Sequence, residues 1–389
     1  LDSLSKLVDR SMIYTRENAA QSMRYNMLET LRQFAGKVVQ TRKEDGDLRK
    51  KHLKYFLSIV EDAYEEQFEA QSKWLILLTI EQDNLLAALA WSSKYSTSAF
   101  IKLIAKLSWY WIIKSQYQTC KENHEKAISL STQDNEDKAR LLYGMGINLF
   151  YFGEAVRAAA LCEESVKIWR RKKNPIELAT TLAYLGYIHQ VFHKNNVTGF
   201  AYSEEALAIA RKIDKPGIIN HCLYYYCSSL VHSKQFVQAI PYVEELLISS
   251  EKLNQPWGIM IARHLHSDCA LGTNDYIETE KRYSLGIRTG VKYGSDWFQF
   301  IDMQGVAFAL SAQSRWAKCI RLNAASVEKA RSIGMNTRGL FEFWDEWIDT
   351  YIEGAKEQVG EELAKKYEEE GIAMEFETAV EYALDFEKD

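Results

Sequence analysis

Apolar and small residues recur along this chain with a period of about forty residues. Segments such as 202–213 (YSEEALAIARKI) show the i, i+3, i+4 apolar spacing of an amphipathic helix. The small residues form three parallel series: Ser108, Gly146, Gly186, Cys227, Ser267 and Ala307; Cys120, Ala158, Gly199, Ala239, Thr279 and Cys319; Ala127, Ser165, Ala206, Leu246, Gly286 and Ser326. Turn-forming residues follow the same period, at 174–175, 215–216, 255–256, 294–295 and 334–336.

This period predicts a helix, a tight turn, a second helix and a loop, repeated about six times over residues 98–333. Small residues let the two helices of each hairpin approach closely, and Pro suits the first turn of a helix because its missing N–H costs little there. One hairpin cannot bury both of its faces, so neighbours must stack into a superhelix. An ordinary helical bundle is the alternative, but a bundle has no reason to hold a fixed period. We expect stacked helix pairs instead of a single closed core, and extensive contact between the first and last hairpins would overturn this expectation.

Composition and charge narrow the class of protein. Only 4 of 389 residues are Pro and 19 are Gly, which favours helix. The net charge is -5. Residues 1–54 carry a net charge of +5 and residues 353–389 carry a net charge of -9. The basic residues form no dense stripe. Direct contact with nucleic acid is therefore not expected. The sequence shows no membrane-length apolar run and no leader, so we expect no membrane association and a cytoplasmic location. Because the sequence opens on Leu1 instead of Met, we expect a fragment of a larger polypeptide.

The small positions carry a family resemblance. Leu185-Gly186 with Gly199 and Ala206, and Met145-Gly146 with Gly153, Ala158 and Ser165, resemble the small-residue pattern of tetratricopeptide repeats. The period here exceeds the usual length of about 34 residues, so the helices and loops should be longer. The resemblance implies an all-α, tetratricopeptide-like α-solenoid built from antiparallel helix pairs.

The two ends of the chain carry a second resemblance. The pattern predicts a helix over 1–11, strands over 12–16 and 23–27 joined by a turn containing Asn18, and a helix over 29–41, which is similar to the back half of a winged helix. Residues 7–12 (LVDRSM), 24–35 (RYNMLETLRQFA), Trp74, 81–85 (EQDNL), 88–91 (ALAW) and 377–384 (ETAVEYAL) resemble the C-terminal region of large bacterial transcriptional regulators, the signal-transduction ATPases of LuxR/AfsR-like type. The resemblance implies a winged-helix remnant (1–42), junction helices (43–97), repeats (98–333) and C-terminal capping helices (334–389).

This second resemblance also implies a function. In such regulators the repeats are a non-enzymatic sensor arm that binds a protein, a peptide segment or a small effector and restrains the upstream ATPase module of the same polypeptide. The winged helix usually packs against that module instead of reading DNA. This sequence lacks a phosphate loop, so ATP or ADP is expected only in the missing upstream module. A free-standing tetratricopeptide scaffold that assembles protein complexes is the alternative.

The sequence offers little chemistry. His189 and His193 lie four residues apart, a spacing that can bind zinc, but no third ligand is indicated. The six cysteines form no C-x-x-C pair and are expected to be reduced and to act as small hydrophobes. No nucleophile motif is present. We therefore predict no catalytic residue, no metal and no cofactor in this part of the protein.

The first helix of each hairpin should line the concave side, where repeat proteins usually bind partners. Positions three before, one after and four after each small residue share a face of that helix. This face begins aromatic and then turns polar, and we predict that it holds the partner. The apolar anchors would be Trp109, Tyr143, Ile147, Phe150, Tyr187, Tyr224 and Phe308, with His264 and Asp268 for polar recognition. The competing interpretation is that these side chains are core residues packed between hairpins.

Overall fold

The computed structural model describes residues 2–17, 23–41, 45–192, 194–339 and 341–385. The first elements are α1 (Asp2–Asp9), β1 (Ile13–Glu17), β2 (Met23–Met27) and α2 (Glu29–Thr41). The strands pair antiparallel, with Ile13 opposite Met27. These elements lie where the pattern of residues predicts them, and the turn with Asn18 lies outside the described residues. Their assignment to a winged helix, and the division into four units, stay predictions.

Three helices connect this hairpin to the repeats: α3 (Asp45–Glu65), α4 (Gln71–Ile80) and α5 (Gln82–Tyr95). Helix α3 packs against α5 and against the first helix of the repeats.

The repeats form six helical hairpins, and the prediction of an all-α, tetratricopeptide-like solenoid is confirmed. The hairpins are α6 (Thr97–Ile113) with α7 (Tyr117–Leu130), α8 (Glu136–Phe150) with α9 (Ala155–Lys172), α10 (Pro175–Val191) with α11 (Asn196–Ile213), α12 (Pro216–His232) with α13 (Phe236–Lys252), α14 (Pro256–Gly272) with α15 (Tyr276–Tyr293), and α16 (Asp296–Ala312) with α17 (Trp316–Ser332).

The small residues act as the sequence predicts, by letting paired helices touch. A Cβ on Gly186 of α10 would lie 2.4 Å from Ser203 Oγ, and a Cβ on Gly199 of α11 would lie 2.2 Å from Gln190 Cγ. A Cβ on Gly146 would lie 2.5 Å from the sulfur of Cys162. The helices of these hairpins are therefore closer together than any larger residue at these positions would allow.

The turn inside each hairpin repeats one backbone conformation. One residue per turn has a positive φ, and these residues follow the same period of about forty: Ser115, Gly153, Lys194, Lys234, Asn274 and Ser314. The left-handed region is unfavourable for residues with a branched or bulky Cβ, and Gly and Asn reach it most readily. A Lys at two of the six positions is thus unusual.

The C-terminal segment continues the array. Helix α18 (Glu342–Trp347), a π-helical turn (Ile348–Glu353) and α19 (Gly354–Val359) form one continuous helix, followed by α20 (Glu361–Ile372) and α21 (Phe376–Leu384). Helix α20 packs along α17, so the long helix and α20 make a seventh hairpin, and α21 covers α16 and α17.

The superhelix is tight enough for residues of distant hairpins to meet near its axis. Trp297, at the start of α16, lies 6.4 Å from Phe150 and 5.8 Å from Tyr151 at the end of α8, measured between ring centroids. Hairpins two and six therefore touch across the axis. Large aromatic side chains on the inner face fill the space near the axis and bury one another instead of facing water.

Candidate functional site

A central cavity remains inside this closed array. Its volume is about 90 Å³, measured as the space that the centre of a water molecule can occupy. Since a single water needs about 10–15 Å³ by this measure, there is room for a ring-sized group or several waters. Its walls come from α6, α8, α10 and α12, with Trp257 of α14. Six residues predicted for the inner face line it: Trp109, Tyr143, Ile147, Phe150, Tyr187 and Tyr224.

Two tyrosine–histidine pairs hold the cavity walls together. The Tyr143 hydroxyl lies 2.8 Å from His221 Nε2, and the Tyr187 hydroxyl lies 3.1 Å from His232 Nδ1. Burial lowers the pKa of His221 to about 3 and lowers that of His232 well below its usual value, so both rings are neutral. Burial also raises the pKa of both tyrosines, so each hydroxyl is protonated and donates to its imidazole. The walls between α8, α10 and α12 therefore carry no charge here.

The charge at the edge of the cavity is paired. Arg140 Nε donates to Glu177 Oε1 at 2.6 Å, and another nitrogen of Arg140 donates to Glu136 at 3.0 Å. The Tyr64 hydroxyl donates to both Glu177 oxygens, at 3.1 and 3.0 Å. Burial raises the pKa of Glu177, and the Arg140 guanidinium acts against that rise. A ligand part that enters the cavity thus meets no uncompensated charge, so the site favours uncharged groups.

Residues 64–72, which we name the cover segment, close one side of the array. The Phe68 ring lies 4.9 Å from the His221 ring, and Tyr64, Gln67, Phe68 and Gln71 line the cavity. The sequence predicts only junction helices here. Nothing local in residues 64–72 indicates this contact, because it depends on groups more than a hundred residues further along the chain.

The cover segment also caps two repeat helices. Glu69 Oε1 accepts from the backbone N–H of Gly217 at 3.0 Å, and Gln71 Oε1 accepts from that of Trp257 at 2.9 Å. Both N–H groups belong to the first turn of a helix, where no intrahelical acceptor exists. The residues preceding α12 and α14 in the chain, Lys215 and Gln255, give no side-chain cap. The two capped positions lie forty residues apart, so the cover segment contacts equivalent sites in successive repeats.

Residues 341–347, which we name the strap, close the other side. The Phe341 ring lies 5.5 Å from Phe150 and 4.1 Å from the His232 ring. Phe341 and Tyr187 both line a smaller void of about 30 Å³. Several aromatic residues of this void, Tyr187 among them, also line the central cavity. The sequence predicts capping helices over 334–389, and the structure adds that the start of the first of them reaches back to hairpins two to four.

His264 and Asp268 do not line the central cavity, although His264 lines the smaller void beside it, and their role in recognition stays a prediction. His264 Nδ1 lies 2.6 Å from Asp302 Oδ1, and its Nε2 lies 3.5 Å from Asp268. The Tyr283 hydroxyl donates to Asp268 at 2.5 Å. Burial by itself lowers the pKa of His264, but the two carboxylates outweigh it and raise the pKa to about 9. Burial raises the pKa of Asp302 to about 6. The cluster is a buried group of ionisable side chains, and no pattern in the sequence indicates that Asp302 belongs to it.

Phe308 also lies away from the cavity. Its side chain is fully buried, with ring centroids of Trp344 at 5.0 Å, Trp347 at 6.2 Å and Tyr351 at 5.8 Å. The competing core interpretation therefore describes Phe308 better. Its position on the inner face is covered by the long C-terminal helix, which periodicity alone does not reveal.

The described residues offer no group of three His, Cys, Asp or Glu that could hold a metal ion. His189 lies 3.4 Å from Glu163, and the proposed second histidine, His193, is outside the described residues. All six thiols are buried, and burial raises the pKa of Cys120 and Cys162, which disfavours a reactive thiolate. In the described part of the chain, no helix has both the length and the apolar character to cross a membrane.

By sequence, no protein-family model and no curated protein matches this chain. By structure, the chain is similar to a Rap protein solved in complex with Competence and Sporulation Factor, with 10% identity and a TM-score of 0.57, covering 84% of this chain and 95% of that chain. It also aligns with the apo form of RapI, with 15% identity and a TM-score of 0.42, covering 87% and 96%. The first likeness shows the fold, a solenoid of tetratricopeptide-like helical repeats. The signal-transduction ATPase context is not addressed by either structure.

Proposed function

We propose that this protein is a non-enzymatic regulatory arm that recognises a protein segment, a peptide or a small effector through the inner side of its repeats. The observation that carries the proposal is the central cavity, which is lined mostly by aromatic and other apolar side chains and whose charged group, Arg140, is paired with Glu177. Cavities that bind small molecules are mostly apolar with a few placed polar groups, and the two tyrosine–histidine pairs are such groups. A solved protein of this fold is in complex with Competence and Sporulation Factor, which is consistent with a recognition role.

The arrangement of the walls supports regulation as well as binding. The cavity is bounded by residues of five hairpins and by the cover segment, whose Tyr64 contacts Glu177 and whose Phe68 contacts His221. A ligand that fits the closed arrangement better than an opened one would change the balance between the two. The size of the effect is limited by the difference between the two affinities.

The context that we propose for this arm is a signal-transduction ATPase that regulates transcription. Effector binding would change how the repeats restrain an upstream module that binds ATP or ADP. The alternative is a free-standing scaffold that assembles protein complexes. The coding sequence upstream of Leu1 separates the two, because a phosphate loop there supports the regulator and unrelated sequence supports the scaffold.

The test combines a pull-down with a thermal-shift screen of peptides and uncharged metabolites. A ligand that binds the native state raises the melting temperature by mass action. Replacing Tyr143 or Tyr187 by Ala should remove at least nine-tenths of the binding, whereas Tyr55→Ala, at an exposed position on α3, should leave it unchanged.

Tyr143→Phe and Tyr187→Phe are the matched controls for folding. They keep the ring and remove only the hydroxyl that bonds to histidine. Binding that survives every cavity variant contradicts the proposed site. Loss of the folded state in both Ala variants would instead identify these tyrosines as core residues.

A further inference from the structure

Acidic residues of the strap form ion pairs with lysines at equivalent positions of two successive repeats. Lys194 Nζ lies 2.8 Å from Glu342, and Lys234 Nζ contacts Glu346. Lys194 and Lys234 occupy equivalent positions of hairpins three and four, forty residues apart, while Glu342 and Glu346 lie four residues apart on one helix. One turn of the strap helix therefore spans one step of the repeat array.

Aromatic contacts follow the same two steps. At hairpin three, Phe341 lies 6.2 Å from Phe192. At hairpin four, Phe343 lies 4.8 Å from His232, and Trp347 stacks on Phe236 at 5.8 Å with an interplanar angle of 18°. Each step of the array thus offers one lysine and at least one ring. We name these residues of hairpins three and four, namely Phe192, Lys194, His232, Lys234 and Phe236, the rim.

The two rim lysines stand at positions that disfavour lysine. Lys194 has a φ of 51° and Lys234 a φ of 59°, in the left-handed region. The equivalent turns of the other four hairpins carry Ser, Gly, Asn and Ser. These two turns share the backbone conformation of the other four hairpins and differ from them in carrying the lysines that pair with the strap.

The ion pairs between the strap and the rim are exposed to solvent, which weakens them. The side chains of Lys194 and Glu342 are 70% and 69% exposed, and those of Lys234 and Glu346 are each 50% exposed. Exposed ion pairs guide orientation more than they stabilise. Gly339, with a φ of 80°, precedes the strap, and the π-helical turn over Ile348–Glu353 follows it. A π-helical turn often marks a functional site within a helix.

Trp344 opposes release of the strap. It is buried, and its indole N–H donates to Gln304 at 2.6 Å. A competitor must therefore supply equivalent aromatic surface as well as acidic residues. This requirement defines its chemistry: a short amphipathic helix with two acidic residues one turn apart, flanked by aromatic residues, the helix-in-groove mode of recognition.

We propose that the rim is a binding surface for such an acidic, aromatic helix of a partner protein, and that the strap occupies it in this structure as an internal copy of that ligand. The inference rests on the proposed function, because it adds a second surface through which the regulatory arm recognises a protein segment. The partner helix and the strap compete for the same lysines, so binding of one releases the other.

The test uses the chain of residues 1–389 and a fluorescent peptide of residues 341–348 (FEFWDEWI), with a charge-reversed peptide that carries Lys for both Glu. Three variants are compared with the unmodified protein by fluorescence anisotropy. The released variant is Glu342→Lys with Glu346→Lys, the repelling variant is Lys194→Glu with Lys234→Glu, and the swapped variant carries all four changes. The swapped variant restores opposite charges within the chain and is the matched control.

The released variant should bind the acidic peptide at least tenfold more tightly than the unmodified protein does, since its lysines are free. The repelling variant should prefer the charge-reversed peptide, and the swapped variant should bind neither more tightly than the unmodified protein. If the released variant does not fold, the test is the comparison of the repelling variant with the swapped variant. Failure of both the released and the repelling variant to prefer the matching peptide overturns the inference.

The released variant could instead form dimers whose amount rises with protein concentration and that prevent the peptide from binding. This result would also overturn the inference, because the rim would then bind a second copy of this chain. The outcome is separable from the proposed function. Cavity variants that lose a partner while no peptide binds the rim would leave the proposed function standing and remove this inference alone.

Discussion

Glu69 accepts a hydrogen bond from the backbone N–H of Gly217 at 3.0 Å and so caps a helix that begins almost 150 residues later. The residue before that helix, Lys215, provides no cap of its own. A segment distant in the sequence therefore completes the repeat. This explains why a helix start without a favourable capping residue is tolerated at this point.

Replacing Glu69 by Ala should lower the free energy of unfolding by about 1 kcal/mol, because the first turn of α12 loses its acceptor. Urea denaturation measures the change. Adding Lys215→Asp to this variant should recover most of the loss by supplying a local cap. Glu65→Ala, on an exposed part of α3, is the control and should have little effect. An unchanged stability in Glu69→Ala would mean that the cap contributes nothing.

The cluster around His264 predicts a pH dependence. The folded-state pKa of His264 is about 9, above the unfolded value of about 6.5, so its contribution to stability is complete below pH 6.5 and is lost as the pH rises through 9. Asp302, with a pKa of about 6, is mostly ionised at the start of that window and fully ionised at its end. The free energy of unfolding should fall by up to about 3 kcal/mol between pH 6.5 and 9.

Urea titrations at a series of pH values measure this slope, and His264→Gln should flatten it. The neutral His221 acts in the opposite sense. Its folded-state pKa is about 3, so its contribution is present above pH 6.5 and is lost as the pH falls towards 3. A slope between pH 6.5 and 9 that persists in His264→Gln would show that another group carries it.

Two glycines should respond in opposite ways to Ala. At Gly186 the new Cβ would lie 2.4 Å from Ser203 Oγ and 2.8 Å from the Gly199 carbonyl oxygen, so overpacking should cost about 1–3 kcal/mol. At Gly354, which is helical with no heavy atom within 4 Å of the new Cβ, Ala should stabilise by up to about 1 kcal/mol. Thermal melts of both variants test the pair, and equal effects would contradict the close approach of α10 and α11.

The buried pair of Arg140 and Glu177 predicts a large effect from a small change. Glu177→Gln leaves Arg140 buried without its closest counter-charge and should cost about 3–5 kcal/mol. Glu205→Gln removes a pair with Arg170 whose side chains are about half and one-third exposed, so it should cost less than about 1 kcal/mol. Chemical denaturation compares the two variants. Similar costs would show that the buried pair is no more important than the surface pair.

The repeat helices and the small residues at their contacts could be predicted because they depend on local spacing. Gly186, Gly199 and their equivalents recur with the period of one structural unit, and each unit repeats the same contact. The face of Tyr143, Tyr187 and Tyr224 could be placed by helical geometry alone. Their binding role stays a prediction.

The closure of the array could not be predicted in this way. The contact of Trp297 with Phe150, the pairing of His264 with Asp302, and the position of the strap depend on the small rotation between successive hairpins. That rotation accumulates over six units, so a slight change in each step decides whether the ends of the array touch. The covering of Phe308 and the capping by Glu69 follow from the same accumulated geometry.

Periodicity alone thus determined the class of fold, the positions of the repeat helices and the residues on their inner face, since each of these depends on neighbours within one unit. The tertiary structure decided that the inner face encloses a cavity, that residues 64–72 and 341–347 cover it, and that its charges are paired. These features join residues far apart in the chain, and such contacts are set by packing of the whole array instead of by any local pattern.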